Sequence, residues 1–445
     1  MAKKLSSVLG IDVGCQQIKI AEVKMQGREP SITALAIGDT PPNAADHTGV
    51  YDVDEVAAKV KELIQQSGAS SPFAVISISG QASVLVRTLE VPKMNPKELG
   101  EHMQWEITRN VPFAESTVVH DFKAFEPSDA AAQNLDVVMA ISPQSAIDSL
   151  VAIVQKAGKK PAAIDVEPLG LARSQSKSYT QHNANDTICV VDIGHLSTSI
   201  NMFKNDQLLM PRVVPIGGFQ FTQAIAATLG MPEEAAETAK QVECAIPEDA
   251  GVLPTADPFG ATSAFEAYNP FPTPPGDPSV PAAPVADAPA PYSPYSAADD
   301  VSADNPYAAA YADPTPASED VPPPPPAADT PAFIAPAPVP ASSGDVRYYN
   351  AIAPILDEFL SEVRRSVDYF KSKGGEVDTI LLCGGGSKLR GLAGFLNRTL
   401  NIDVVMHDPL RNMPVNAKRL ETGILEKHRA EFAVAVGNAL YICFD

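Results

Sequence analysis

Two stretches of the chain repeat one another at a spacing of 180 residues. Residues 8–24 read "VLGIDVGCQQIKIAEVK" and residues 188–207 read "ICVVDIGHLSTSINMFKNDQ", so Asp12 falls on Asp192, Gly14 on Gly194, Ile20 on Ile200 and Lys24 on Lys204. Each is an apolar run, an Asp-x-Gly, a polar turn and an alternating run, the pattern of a β-hairpin. One copy fits any hairpin. Two copies opening two halves of a chain predict a duplicated domain whose hairpins face each other across a cleft. A glycine lets such a turn approach a ligand closely, and successive backbone N–H groups make a nest for phosphate oxygens. Carboxylates behind the turns can hold Mg2+ through water. Ordinary turn residues are the alternative for Asp12 and Asp192 at this level.

A third element supports the cleft. "VDTILLCGGGSKLRGLAGFLNRTL", residues 377–400, predicts an apolar strand, three glycines and a helix carrying Leu392, Phe395, Leu396 and Leu400. It matches neither GxxxxGK[ST] nor GxGxxG, so both of those phosphate loops are excluded. By itself the glycine run reads equally as a flexible turn.

The character of the chain changes near Pro247. From there to about Gly344 it is built of Pro, Ala, Asp and Tyr, holds well over half of the 42 prolines, includes "VPPPPP" at 321–326, and has no Lys or Arg between Lys240 and Arg347. Such a composition cannot bury enough apolar surface to fold, so 247–345 is expected to be a disordered insert. It also carries much of the net charge of −21. That sign disfavours nucleic acid as a partner, because counterion release needs excess Lys and Arg. After the insert, Ile355, Phe359, Val363, Val367 and Phe370 recur at helical spacing. Lengthening a connection from about ten to about a hundred residues costs roughly 2 kcal/mol, so the insert can interrupt a domain without destroying it.

Five scattered cysteines without a CxxC pair give neither a disulfide framework nor a zinc site. No stretch approaches the roughly 20 apolar residues of a membrane span, and Asp12 breaks the opening run too early for a signal peptide. The chain reads as a soluble cytosolic protein. Residues 73–165 predict strands at Phe73–Ser79, Val84–Val91, Val118–Phe125 and Val137–Ser142, with helices at Pro96–Asn110 and Gln144–Ala157. Trp105, the one tryptophan, is expected to pack in the core with Leu99 and Met103, with interface anchoring as the alternative.

The paired hairpins, the strand–GGG–helix unit and the pair Glu237 and Lys240 in "AAETAKQV" resemble the nucleotide site of the actin, sugar kinase and Hsp70 superfamily. Within it the chain resembles the PilM family of type IV pilus assembly, related to FtsA, through "SVLGIDVGCQQIKIAEV", "VRTLEVPKMNPKELGEHMQWEITRNVPF", "AIDVEPLGLARS", "VVPIGGFQFTQAIA" and "LLCGGGSKLRGLAGFL". The resemblance implies an α/β fold: a duplicated actin-like ATPase fold with an inserted small α+β subdomain. It implies a first domain of 5–72 with 166–185 and 428–445, a small subdomain of 73–165, and a second domain of 186–246 with 346–427. Sugar kinases and Hsp70 lack the small subdomain.

The same resemblance implies ATP and Mg2+ as ligands. It puts Asp12 and Asp192 near the metal, Gly14, Cys15, Gln16 and Gln17 at the first phosphate turn, and Lys19 on the phosphates. Gly194, Ser197 and Thr198 form the second turn, with Gly217 beside it. Glu237 and Lys240 face the ribose and base, with an exposed ion pair as the alternative. Gly384, Gly385, Gly386 and Lys388 lie along the adenosine. Cys15 and Gln16 stand where small hydroxyl residues are usual, and His195 where a small residue is usual. In hydrolysing relatives an acid before a proline orients the attacking water, which points to Glu167 as the catalytic residue; a carboxylate capping the helix at Pro168 is the alternative. The implied function is a cytoplasmic, ATP-binding component of pilus assembly, peripheral to the inner membrane. It would bind the cytosolic N-terminal peptide of a PilN-like inner-membrane protein, in a nucleotide-dependent way, and is compatible with self-association. An FtsA-like division filament is the second reading, though that family ends in a membrane-binding helix, whereas "FAVAVGNALYICFD" reads as a core helix.

Overall fold

The computed structural model describes residues 5–80, 82–113, 117–125, 133–179, 186–250 and 345–444. Its first half opens with β1 (Ser7–Val13), β2 (Gln17–Gln26), β3 (Glu29–Asp39), α1 (Val53–Ser67), β4 (Phe73–Ile78), β5 (Leu85–Pro92), α2 (Pro96–Asn110), β6 (Val118–Phe125), β7 (Asn134–Pro143), α3 (Gln144–Lys156), β8 (Lys160–Val166) and α4 (Glu167–Ser178). The second half runs β9 (Thr187–Ile193), β10 (Thr198–Lys204), β11 (Gln207–Val214), α5 (Gly218–Leu229), α6 (Glu233–Val242), α7 (Val346–Ser372), β12 (Thr379–Cys383), α8 (Leu392–Leu400), β13 (Asp403–Met406), α9 (Ile424–His428) and α10 (Ala433–Ala439).

The duplication seen in the sequence is a duplication of topology. One sheet has the order β3-β2-β1-β4-β8 and the other β11-β10-β9-β12-β13. In each, three strands form an antiparallel meander and two more join in parallel. The register repeats as well: Asp12 stands opposite Lys19, and Asp192 stands opposite Ser199.

The small subdomain is narrower than 73–165. Its antiparallel sheet is β5-β7-β6, and α2 covers it with Leu99, Met103 and Ile107 against Val91, Leu135, Val137, Met139 and Ile141. By contrast, β4 and β8 belong to the first large sheet, and α3 packs on that sheet's face. Parallel strands need cover on both faces. Ala74 and Ile76 of β4 face the core under α1 and α3, while Val75 faces the opposite core under α10. The helix α2 starts on a capping box, in which Asn95 accepts from the backbone N–H groups of Lys97 and Glu98.

Two further boundaries move. The expected second domain, through 427, gives back its last part to the first: Leu410, Met413 and Ile424 pack with Val8, Ala21 and Ile32. The Ile32 N–H donates to Pro414 O at 2.9 Å, and Asn416 N–H donates to Ile32 O at 2.7 Å, so this segment covers the open edge of β3. The insert expected over 247–345 begins later than Pro247. Ala250 is buried, Arg398 donates to Pro247 O, and Asp345 already caps α7 by accepting from Arg347 N–H. Residues 251–344 lie outside the described residues.

The amphipathic helix predicted after the insert is α7. It buries Ile352, Leu356, Phe359, Val363 and Val367 along one stripe in the second half's core. The core-like terminal segment is α10, all seven of whose residues are buried. It lies between β1 and α4 at backbone distance: a Cβ on Gly437 would collide with the carbonyl of Gly170, and one on Gly10 with the backbone of Ala435 and Ala439. Arg173 of α4 ties this contact by donating from Nε to Gly437 O at 2.8 Å and pairing with Asp165. Trp105 corrects the core expectation. It is 55% exposed, with the Arg109 guanidinium 5.2 Å over its ring.

Candidate functional site

The Asp-x-Gly turns close in the same way. Gly14 N–H donates to Gln17 O at 3.1 Å, and Gly194 N–H donates to Ser197 O at 2.9 Å. Behind the first turn, the Thr40 hydroxyl donates to Gly14 O at 2.7 Å. The second turn carries the start of α5, since Gly218 N–H donates to Gly194 O and Phe219 N–H to His195 O. Gly217 lies so close that a Cβ there would collide with His195 backbone.

The triple glycine completes this corner, and at its first and third positions only glycine fits. Gly384 has φ of +78°, and a Cβ on it would collide with the Asp192 carboxylate; one on Gly386 would run into the Ile193 side chain. Gly386 and Gly218 face each other, and Lys240 Nζ donates to Gly218 O at 2.8 Å. Lys240 also pairs with Glu237 at 2.7 Å, and both bond the Thr222 hydroxyl. The Glu237–Lys240 pair is therefore an α5–α6 clamp at the edge of the site. Burial and the Lys240 ammonium beside it act in opposite directions on Glu237, and the hydrogen bonds win, holding its carboxyl below the usual range.

Between the halves, carboxylates gather around one lysine. Lys19 Nζ is 3.4 Å from Asp12 Oδ2. Burial would lower its pKa, but Asp12, Asp192 and Glu431 together hold it above the ordinary range. Asp192 is pushed up to about 8, first by burial and then by the charges of Glu167 and Asp12. Glu167 is also raised, chiefly by burial. Glu167 is the first residue of α4, where the helix dipole favours a carboxylate, but it makes no capping hydrogen bond. Its carboxylate instead accepts from Ser199 Oγ at 2.7 Å.

Some expected contacts go elsewhere. The Thr198 hydroxyl is fully buried and donates to Ile216 O at 2.6 Å, so it serves the fold and presents nothing to a ligand. Lys388 pairs at 2.6 Å with the buried Glu431, which also meets His428 Nδ1 at 2.9 Å. Gln17 lines a separate cavity of about 300 Å3 with Asp39, Lys59 and Lys427. Gln16 is exposed and accepts Thr40 N–H with its carbonyl. Cys15 is half-buried, its thiol pushed up to about 11 by burial, so it is not poised as a nucleophile. His195 packs on Phe219 with ring centroids 5.0 Å apart, and burial lowers its pKa. Sequence reasoning missed Ser199 and Glu431. Ser199 had a signal in the duplication, which sets it on Lys19; Glu431 had none.

A second cavity, of about 460 Å3, opens at the end of β1 and β4 where the small subdomain departs from the first half. Val13, Tyr51, Ser79, Ser83, Pro143 and Ala146 are among its walls. Among the described residues, no helix is long and apolar enough to cross a membrane.

Residues 10–264 and 346–442 match the family described as type IV pilus assembly protein PilM. A solved PilM-PilN type IV pilus biogenesis complex contains a chain that is 25% identical, with a TM-score of 0.67 and coverage of 99% of both chains. The cell division protein FtsA of Bacillus subtilis is 22% identical over 255 residues, 52% of this chain and 57% of FtsA. FtsA of Neisseria meningitidis serogroup B is 21% identical over 250 residues, 52% of this chain and 59% of that protein. The chain thus spans less than two thirds of the length of these curated relatives. The family match over most of the chain and the duplicated sheets agree: this chain belongs to the PilM family of type IV pilus assembly proteins and has its actin-like ATPase fold.

Proposed function

We propose that the cleft between the halves binds ATP with Mg2+ and that the protein captures a short peptide from a PilN-like inner-membrane partner. The observation that carries the nucleotide reading is the convergence of both Asp-x-Gly turns, the start of α5 and the triple glycine on one lysine–carboxylate cluster. Backbone N–H groups of the turns would take phosphate oxygens, Lys19 would neutralise them, and Glu237 with Lys240 would face the ribose. Mg2+ keeps much of its water and takes phosphate oxygens besides one or two carboxylates, a role Asp12 and Asp192 would fill from behind the two turns. A bound Mg2+ would offset phosphate charge.

The partner reading rests on the family and on the second cavity. The solved relative is a PilM-PilN complex. The cavity of about 460 Å3 has a size for one or two apolar side chains of an extended peptide, with Ser and Thr hydroxyls around them. Through such a partner the protein would lie at the inner membrane from the cytoplasmic side. Nucleotide would act as a switch only by binding the peptide-competent arrangement better. Titration with the N-terminal peptide of the PilN-like protein, with and without ATP and Mg2+, is expected to show saturable binding that tightens with nucleotide. Absence of binding in both conditions would remove the adaptor reading; equal binding in both would keep the adaptor and remove the switch.

A further inference from the structure

Ser199 and Lys19 hold the same register position in the two halves, each opposite its aspartate. Lys19 turns to Asp12 in its own hairpin. Ser199, 7% exposed, reaches out of the second half and donates to Glu167 Oε1 on α4 of the first at 2.7 Å. This hydrogen bond crosses the cleft. A second contact agrees with this direction: Asn201 Nδ2, two residues along β10, donates to Ser199 Oγ at 3.3 Å, so Ser199 accepts from the amide and keeps its one hydroxyl proton for the Glu167 carboxylate. Asn201 is itself completely buried.

We propose that Ser199 is a positioning residue for ATP hydrolysis, holding one oxygen of Glu167 so that the other accepts a proton from the attacking water; this rests on the reading of the cleft as an ATP site. In that step the water oxygen bonds to the γ-phosphorus and the bond from phosphorus to the β,γ-bridging oxygen breaks. The ADP oxygen keeps the electron pair, and the water proton passes to Glu167. A carboxylate free to rotate would spend most of its time out of line, and alignment is most of what a protein supplies to phosphoryl transfer. The contact joins α4 to β10, and α4 is also packed on the second half through Leu171 and Ala172, which share a core with Ile188, Val190 and Phe203.

The test is steady-state ATP hydrolysis by the full chain, with ATP affinity measured separately by calorimetry. Ser199→Ala is expected to lower kcat roughly tenfold to a hundredfold, as loss of a residue orienting a reactive group does, with KM and ATP affinity within about twofold of wild type. Ser199→Thr is expected to restore kcat. In a Glu167→Gln background Ser199→Ala is expected to add nothing, because the group it positions is gone. Should Ser199→Ala fail to fold, Ser199→Cys, close in size with a weaker donor, carries the same comparison. A rise in KM at unchanged kcat, or an undiminished effect in the Glu167→Gln background, overturns the inference. Wild type that binds ATP without turning it over also overturns it and leaves the site reading intact, whereas absence of ATP binding overturns the site reading itself.

Discussion

Asp192→Asn is expected to remove the Mg2+ dependence of ATP binding and, in the free protein, to raise stability. Asp192 is half-buried beside Glu167 and Asp12, and desolvation together with the charges of those neighbours pushes its carboxyl up to about 8. The folded value lies above the unfolded value of about 4, so the group's contribution is fully present below pH about 4 and is lost as pH rises through about 8. At pH 8 the wild type therefore keeps a charge in a place that disfavours it. Asparagine has no proton to lose and removes that slope. The gain expected at pH 8 is about 2 kcal/mol or more, smaller at pH 5 and shrinking toward zero only below pH about 4. Binding moves the other way: a cation that compensates the charge loses one of its two carboxylates, and affinity for ATP with Mg2+ should fall by roughly a hundredfold. Urea denaturation at pH 5 and 8, with calorimetry in Mg2+ and in EDTA, measures both. A variant that is less stable at pH 8, or binds ATP with unchanged Mg2+ dependence, would contradict the electrostatic picture of the cleft.

Gly437→Val is expected to destabilise the fold strongly. The new side chain would enter the space of the Gly170 carbonyl on α4, which is backbone and cannot rotate away. To admit it, α10 must lift from α4, and three linked contacts go with it. Arg173 loses Gly437 O as an acceptor, and Asn438 Nδ2 loses Ile11 O and the Ser77 hydroxyl, each at 2.9 Å. Overpacking costs about 1–3 kcal/mol, and buried groups left unpaired add about 1–3 more. A loss of about 4 kcal/mol approaches the whole stability of many domains, so Gly437→Val should melt far below wild type and Gly437→Ala in between. Wild-type melting of Gly437→Val would show that α10 and α4 are not at backbone contact.

The duplicated hairpins, the triple glycine and Gly217 could be placed from sequence because each is local: strand, turn and strand lie within about twenty residues, and their pattern is the signal. Long-range partners were harder. Phe73–Ile78 reads as a strand, but alternation does not say that its neighbour is β1, more than fifty residues earlier. For that reason the local pattern does not separate β4 and β8, which belong to the first large sheet, from the small subdomain's strands. Nothing local in Leu410, Met413 and Ile424 reveals that they return to the first half. Trp105 was legible in principle. Leu99, Met103 and Ile107 form one helical stripe, and a residue two positions from Met103 stands about 200° away from it, which is the exposed side. Glu431 reaches the cleft only because the chain's last helices fold back onto β1, a fact with no local trace.

The cleft itself is tested most directly by calorimetric titration of the folded protein with ATP in the presence of Mg2+. Saturable binding at a single site, lost in EDTA and weakened by Asp12→Ala, is the predicted result. A protein shown to be folded that gives no binding of ATP with Mg2+ present would contradict the account.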